Sequence, residues 1–272
     1  MEEHETVLSE VHIGLPVCST STNVVSRFEF EVPAGLSLRI ERNSEESSDS
    51  EDQEPPRRRQ PPREVLFIEH NMATALSDVG LQVWPAALAM ADFLLHEHEK
   101  FKESLLLEIG GGVGLCGLVA SRVAKKIVCS DYKAEIVDAM KTNFLKNRGV
   151  VRDNFECLVL DVKDAEVVDC DFLFGSDLIY DDEITDNILN FVKRSLLKTT
   201  VAFFLSLEKR FNFTIDNLEE SCPAYKHFRE CCQRQCLQVE NIDLEAVPQY
   251  FKSLPRSKHI EILEIRIQTP DP

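Results

Sequence analysis

Residues Leu105–Asp131 read LLLEIGGGVGLCGLVASRVAKKIVCSD: an apolar run, a cluster of glycines, a small-residue stretch, a second apolar run and then a lone acid. This order predicts a buried strand at 105–109 and a helix at 115–124. Between them Gly110, Gly112 and Gly114 make a turn that lacks side chains, so that backbone can approach a ligand. The helix would open with free backbone N–H groups and the positive end of its dipole. Asp131, about 20 residues past the first glycine, follows the next strand (126–130), where a carboxylate can accept both ribose hydroxyls. The stretch is read as a nucleotide-cofactor site and as the opening of a parallel α/β sheet.

Outward from this unit the alternation continues. Strands are expected at 155–160, 171–176, 199–207, 237–243 and 260–267, and helices at 133–147, 183–197 and 221–235. Apolar strands alternating with helices of this length predict an α/β fold, a Rossmann-like, seven-stranded, mostly parallel sheet with helices on both faces. HIEILEIRI (259–267) alternates with period two, which predicts a terminal antiparallel strand. Upstream, WPAALAMADFLLHEHEKF (84–101) reads as a helix with Pro85 in its first turn. VHIGLPV (11–17) and SRFEFEVP (26–33) read as strands, and VLFIEHNM (65–72) as a short extended piece. The chain is thereby divided into an N-terminal β-hairpin module (1–42), a linker (43–63) and a main domain (64–272). NSEESSDSEDQE followed by PPRRRQPPR cannot bury apolar surface, so the linker is expected to be disordered. Phosphorylation of Ser48 and Ser50 and an import patch at Arg57–Arg59 are secondary readings of it.

The 272 residues carry 47 acidic against 30 basic side chains, a net charge of −17. That argues against direct, phosphate-driven nucleic-acid binding and suits a basic protein partner. No apolar stretch approaches the ~20 residues of a membrane helix, so a soluble protein without a membrane partner is expected. MEEHETVLSE lacks the basic-then-apolar pattern of a secretion signal. The nine cysteines are scattered. Cys231, Cys232 and Cys236, with His227 nearby, come closest to a cluster. They are read as reduced thiols of an intracellular protein, with no metal site.

Gly112-Val113-Gly114-Leu115-Cys116-Gly117 satisfies G-x-G-x-x-G, so a dinucleotide-dependent oxidoreductase is an open alternative. Four features favour a sulfonium cofactor instead. Glu108, two residues before the glycines, would face the ligand and suit a positive charge. Gly110, Gly112 and Gly114 form G-x-G-x-G, a loop shaped for one nucleoside with an amino-acid tail. Asp161 ends the third strand within reach of an adenine amino group. The fourth strand runs into Gly175-Ser176-Asp177-Leu178-Ile179-Tyr180, which places an acid and a phenol at a strand end, where open α/β sheets hold ligands. S-adenosylmethionine fits all four.

Residues 65–267 resemble the seven-β-strand S-adenosylmethionine-dependent protein-lysine methyltransferases, in the group with D-x-x-Y after strand four, here Asp177 to Tyr180. VWPAAL (83–88), EIGGGVG (108–114) and SLEKRFNFTIDNLEESCPAYKHF (206–228) carry the resemblance. It implies a cofactor pocket from Trp84, Glu108, Gly110, Gly111, Gly112, Gly114 and Asp131, with Ser176 touching the cofactor through its backbone. Trp84 is equally readable as a core residue. Asp161 and Val162 are taken as further contacts, although Val162 stands where the family often has Trp. Asp177 would orient the substrate amine and Tyr180 would wall its channel. Glu208 and Arg210, beside the presumed mouth, are read as substrate contacts or as an ordinary surface pair. The resemblance further implies a lysine on a nucleic-acid-associated protein, a nuclear and cytoplasmic location, and a monomer. A non-catalytic scaffold and a small-molecule methyltransferase stay open.

Overall fold

The computed structural model describes residues 6–11, 23–36, 61–214 and 217–268. Strands β1 (Thr6–Leu8), β2 (Asn23–Glu31), β3 (Arg63–Asn71) and β4 (Ala73–Ala75) lead into a 3-10 segment, Leu76–Leu81. Then come α1 (Pro85–His96), α2 (His98–Phe101), β5 (Leu105–Glu108), α3 (Leu115–Val123), β6 (Lys126–Asp131), α4 (Ala134–Lys146) and β7 (Phe155–Val159). The remainder is β8 (Phe172–Ser176), α5 (Asp182–Leu196), β9 (Ala202–Glu208), a hairpin of β10 (Asn212–Thr214) and β11 (Asn217–Ser221), α6 (Pro223–Arg234), β12 (Leu237–Ile242) and β13 (Ile260–Ile267).

Seven strands form one sheet in the order β12-β13-β9-β8-β5-β6-β7. All neighbours are parallel except β13, which runs antiparallel between β9 and β12. This is the Rossmann-like fold expected from the alternation of elements. The chain winds outward from β5 through β6 to β7, then returns to β5 and winds the other way through β8 and β9. The strand order therefore reverses between β5 and β8, and such a switch point opens a crevice at the carboxyl ends of the strands.

Period-two alternation distributes β9 between two core layers. Ala202 and Phe204 join the layer under α1, α3 and α4, while Phe203, Leu205 and Leu207 join the layer under α5 and α6. Helix α1 has ten buried residues. The stretch Leu76–His96 is more apolar than the sequence reading allowed, with an 18-residue window of mean hydropathy 1.2. Its helix is a core helix whose buried acid, Asp92, is fully engaged. Asp92 accepts from the backbone N of Tyr250 (2.8 Å) and Phe251 (3.0 Å) and from Arg256 Nη2 (2.7 Å).

The amino-terminal reading needs correction. β2 pairs antiparallel with β3, from Asn23 opposite Asn71 to Glu31 opposite Arg63, so the ribbon joins the expected module to a strand that begins at the last residue of the expected linker. β1 likewise pairs with β4. The described strands of 1–42 thus find their partners beyond residue 62. Phe28 and Phe30 from β2 share a core with Leu94 of α1 and with Phe251. Helix α4 satisfies the outer edge of β3 in place of another strand. Asn147 accepts from Phe67 N (2.9 Å) and donates to Phe67 O (2.9 Å), and Asn143 does the same at Glu69 (2.8 and 3.0 Å). Two carboxamides four residues apart on one helix face match the two-residue repeat of the strand. Residues 12–17 of VHIGLPV, Ser48, Ser50 and Arg57–Arg59 lie outside the described residues.

Candidate active site

At the end of β5 the chain turns through Gly110, Gly112 and Gly114 with φ of 60°, 55° and 88°. Side chains are disfavoured in this left-handed region. Space is short as well, since a Cβ on Gly112 would lie 2.8 Å from the carbonyl oxygen of Gly80. The turn is pinned to β6 through its backbone. Gly111 N donates to Ser130 O (2.8 Å) and Gly112 N to Asp131 Oδ2 (3.0 Å). Asp131 Oδ1 accepts from Tyr132 N at 2.9 Å. Burial raises the Asp131 pKa, and the amide donors of Gly112 and Tyr132 oppose that rise. Asp131 does not cap α4, whose N-cap is Lys133 with no side-chain cap bond.

A cavity of about 790 Å³ opens here, within the range of small-molecule sites. Gly110, Gly111, Gly112 and Asp131 line it from the β5–β6 side, and Asp161 and Val162 from beyond β7. Ser176, Asp177 and Tyr180 line it from the end of β8, and Trp84 from the start of α1. These expected residues are thus brought together. Sequence reasoning missed one wall, formed by Ser77, Val79 and Gly80 of the 3-10 segment, and another from Ile184 and Asn187 of α5. The first wall is tied in by Trp84 Nε1 donating to Val79 O (3.1 Å) and by Tyr132 Oη donating to Ser77 O (2.8 Å). Its only signal in the sequence was Gly80, a turn-prone residue between two apolar ones.

Glu108 does not line the cavity. It is 1% exposed and lies beneath the glycine turn, where a Cβ on Gly111 or Gly117 would collide with its Oε2. Oε2 has no hydrogen-bond partner, and burial pushes the Glu108 pKa up to about 8. Burial therefore favours its neutral form. Among the described residues, the cavity lining also omits Gly114, Glu208 and Arg210. Gly114 instead caps the start of α3 and packs on Met140.

At the end of β8, Asp177 takes a left-handed conformation (φ 56°) and its N donates to Ser206 O at 2.8 Å. Its carboxylate meets the Arg210 guanidinium in a two-bond fork, Nη1 to Oδ1 at 3.1 Å and Nη2 to Oδ2 at 2.8 Å. Burial raises the Asp177 pKa and Arg210 pulls it back. Arg210 is thus held by Asp177, with Glu208 a further charge nearby. Burial pushes the Tyr180 phenol up to about 12, so it stays neutral at pH 7. Away from the cavity, His227 Nε2 lies 2.9 Å from Asp186 Oδ1. No group of three or more potential metal ligands occurs among the described residues.

The lysine methyltransferase family matches residues 62–221 of this chain, more than half its length. The chain belongs to that family. The chain is 34% identical over 194 residues to Methyltransferase-like protein 22 of Homo sapiens, covering 62% of this chain and 48% of that one. It is 27% identical over 173 residues to the Protein-lysine N-methyltransferase EFM3 of Saccharomyces cerevisiae, covering 56% and 51%. The chain spans about half the length of the curated relatives it matches. Among solved structures, the DhpI–SAH complex aligns with a TM-score of 0.47 at 14% identity, covering 68% of this chain and 85% of that one. Membership sets aside the dinucleotide-oxidoreductase alternative and leaves S-adenosylmethionine as the cofactor to test against the site. The cavity fits it, with room for a nucleoside and its tail, a glycine turn free of side chains, and an acid at the tip of β6.

Proposed function

We propose that this protein transfers a methyl group from S-adenosylmethionine to the ε-amine of a lysine on a protein substrate. When bound, the cofactor supplies a methyl group activated on a sulfonium. Asp131 would hold the ribose, the Gly110–Gly112 backbone the amino-acid tail, and Asp161 and Val162 the adenine. The observation that carries the reading is Asp177, an acid at the end of β8 that lines the same cavity as the glycine turn across the switch point.

An ordinary lysine has a pKa of ~10.4, so its neutral form at pH 7 costs roughly 4–5 kcal/mol at 1.36 kcal/mol per unit. Near-attack positioning contributes about 7–11 kcal/mol. Positioning therefore outweighs deprotonation, and a strong base is not required. No histidine lines the cavity among the described residues. Asp177, in its charged form, attracts the incoming ammonium and orients the amine, while the proton leaves to water. Tyr180 walls the channel and excludes water from it.

A basic protein substrate suits the net charge of −17 and the acids Asp161, Asp181 and Glu183 on the cavity lining. A nucleic-acid-associated target, encountered in nucleus or cytoplasm by a monomeric enzyme, is the substrate class we infer. The experiment is incubation with methyl-labelled S-adenosylmethionine and cell extract, followed by amino-acid analysis of the labelled protein. Labelled methyl-lysine is expected, and label confined to arginine or to small molecules would overturn the reading.

A further inference from the structure

Three acids surround the Arg210 guanidinium at the end of β9: Asp177, Glu10 and Glu208. Its fork is committed to Asp177. The same Nη2 lies 3.6 Å from Glu10 Oε2, and Cζ sits 5.1 Å from the centroid of the Trp84 ring. One cation thus touches two residues that line the cavity, Asp177 and Trp84, and one residue from the amino-terminal end of the chain. The Asp177 side chain is only 3% exposed against 38% for Arg210, so the guanidinium covers the carboxylate from the solvent side.

Glu10 is held at this position by its neighbours. β1 pairs with β4, and Ser9 N continues that ladder to Met72 O at 2.8 Å. Gln82 Nε2 donates to Val7 O at 2.9 Å. Val11 N donates to Ser9 Oγ at 3.3 Å, which bends the chain at Glu10, and Ser9 and Val11 are both buried. With both flanking residues anchored, the exposed side chain of Glu10 projects to Arg210.

We propose that Arg210 is the positioning residue of the methyl-acceptor site, and that through Glu10 it makes the amino-terminal segment part of that site's wall. The proposal rests on the reading of Asp177 as the group that receives the substrate amine. A two-bond fork fixes the plane of the carboxylate, which a point charge on a flexible stem does not. The charge also matters. The titratable groups facing Asp177 are Arg210, Glu208, Glu10 and the phenol of Tyr180. Arg210 is the only cation among them. Without it, burial and the two neighbouring acids all favour the protonated form, which holds no ammonium.

Trp84 is the chain's only tryptophan, so its fluorescence reports on this wall without turnover. The test compares Asp177→Asn, Arg210→Gln, their double variant, Glu10→Gln and Arg210→Lys by Trp84 emission, S-adenosylhomocysteine affinity and methylation rate against pH. Asp177→Asn and Arg210→Gln are expected to move the emission in the same direction, and the double variant no further than the larger of the two. Glu10→Gln should move it the same way by less, with homocysteine-cofactor affinity within twofold throughout. Arg210→Gln should lower kcat about 100-fold, the order expected of a misplaced reacting group, with a smaller change in KM. Its acid limb should move to higher pH, and Arg210→Lys should recover part of the rate. Additive emission changes, or a pH profile of Arg210→Gln that superimposes on the wild type, would overturn the positioning role. A wild-type protein that methylates no lysine overturns the proposed function instead, so the two failures are distinguishable.

Discussion

The two halves of the cavity are built by different forces. On the β5–β6 side the geometry is set by backbone: positive-φ glycines, amide-to-carbonyl bonds and one acid that accepts from two amides. On the β8–β9 side it is set by charge: a buried carboxylate, the guanidinium that covers it, an indole beneath that guanidinium and an acid from the first strand region. Backbone geometry fails through sterics and strain, and should register as lost stability and lost cofactor binding. Charge coupling fails through protonation, and should register as lost turnover and a displaced pH profile with the fold intact.

The largest effect should come from crowding the backbone side. Gly112→Ala adds the cost of a left-handed residue, ~1–2 kcal/mol, and a Cβ 2.8 Å from a carbonyl oxygen that cannot swing away. Thermal unfolding should fall by several degrees, at roughly 2–4 °C per kcal/mol, and S-adenosylhomocysteine binding should vanish in calorimetry. Unchanged melting would mean that the turn is not held against Gly80. Asp131→Ala should act next, with cofactor affinity weakened by about 1–3 kcal/mol as ribose and Gly112 N–H lose their acceptor. Unaltered affinity in the same titration would remove Asp131 from the cofactor site.

The smallest effect on cofactor binding sharpens the comparison from within the backbone side. Glu108 has an ordinary pKa of 4.5 and a folded pKa of about 8. Between those values the folded state binds more protons than the unfolded state, so this group makes stability fall as pH rises, with the loss complete above the folded value. Glu108→Gln should flatten the decline in melting temperature between pH 5 and pH 9 and leave cofactor affinity near wild type at pH 7. A variant that declines as steeply as the wild type would show that Glu108 is ionised when buried. A collapse of cofactor binding would show that its charge does reach the ligand.

The same division explains what the sequence made legible. The backbone side is local. Glycines, helix start and Asp131 lie within one β-α-β stretch whose spacing is dictated by the turn, so Leu105–Asp131 suffices to place them. The alternation of strands and helices and the antiparallel course of β13 in the seven-stranded sheet also follow from local pattern. What escaped depends on partners far along the chain. β2 reads as a hairpin strand, but its partner lies beyond a long polar segment. Glu108 was expected to face the ligand, because strand alternation alone does not reveal that Gly111 and Gly117 leave a pocket beneath the turn for its carboxylate. Arg210 was paired with Glu208 by proximity in sequence, whereas its fork goes to a residue on the neighbouring strand.

The most direct test of the division is a paired measurement on Asp177→Ala: S-adenosylhomocysteine affinity by calorimetry, and labelled methyl transfer to protein lysine in cell extract. Affinity within twofold of wild type together with loss of methyl-lysine is the predicted result. Full methyl transfer, or cofactor affinity that collapses with the substitution, would contradict it.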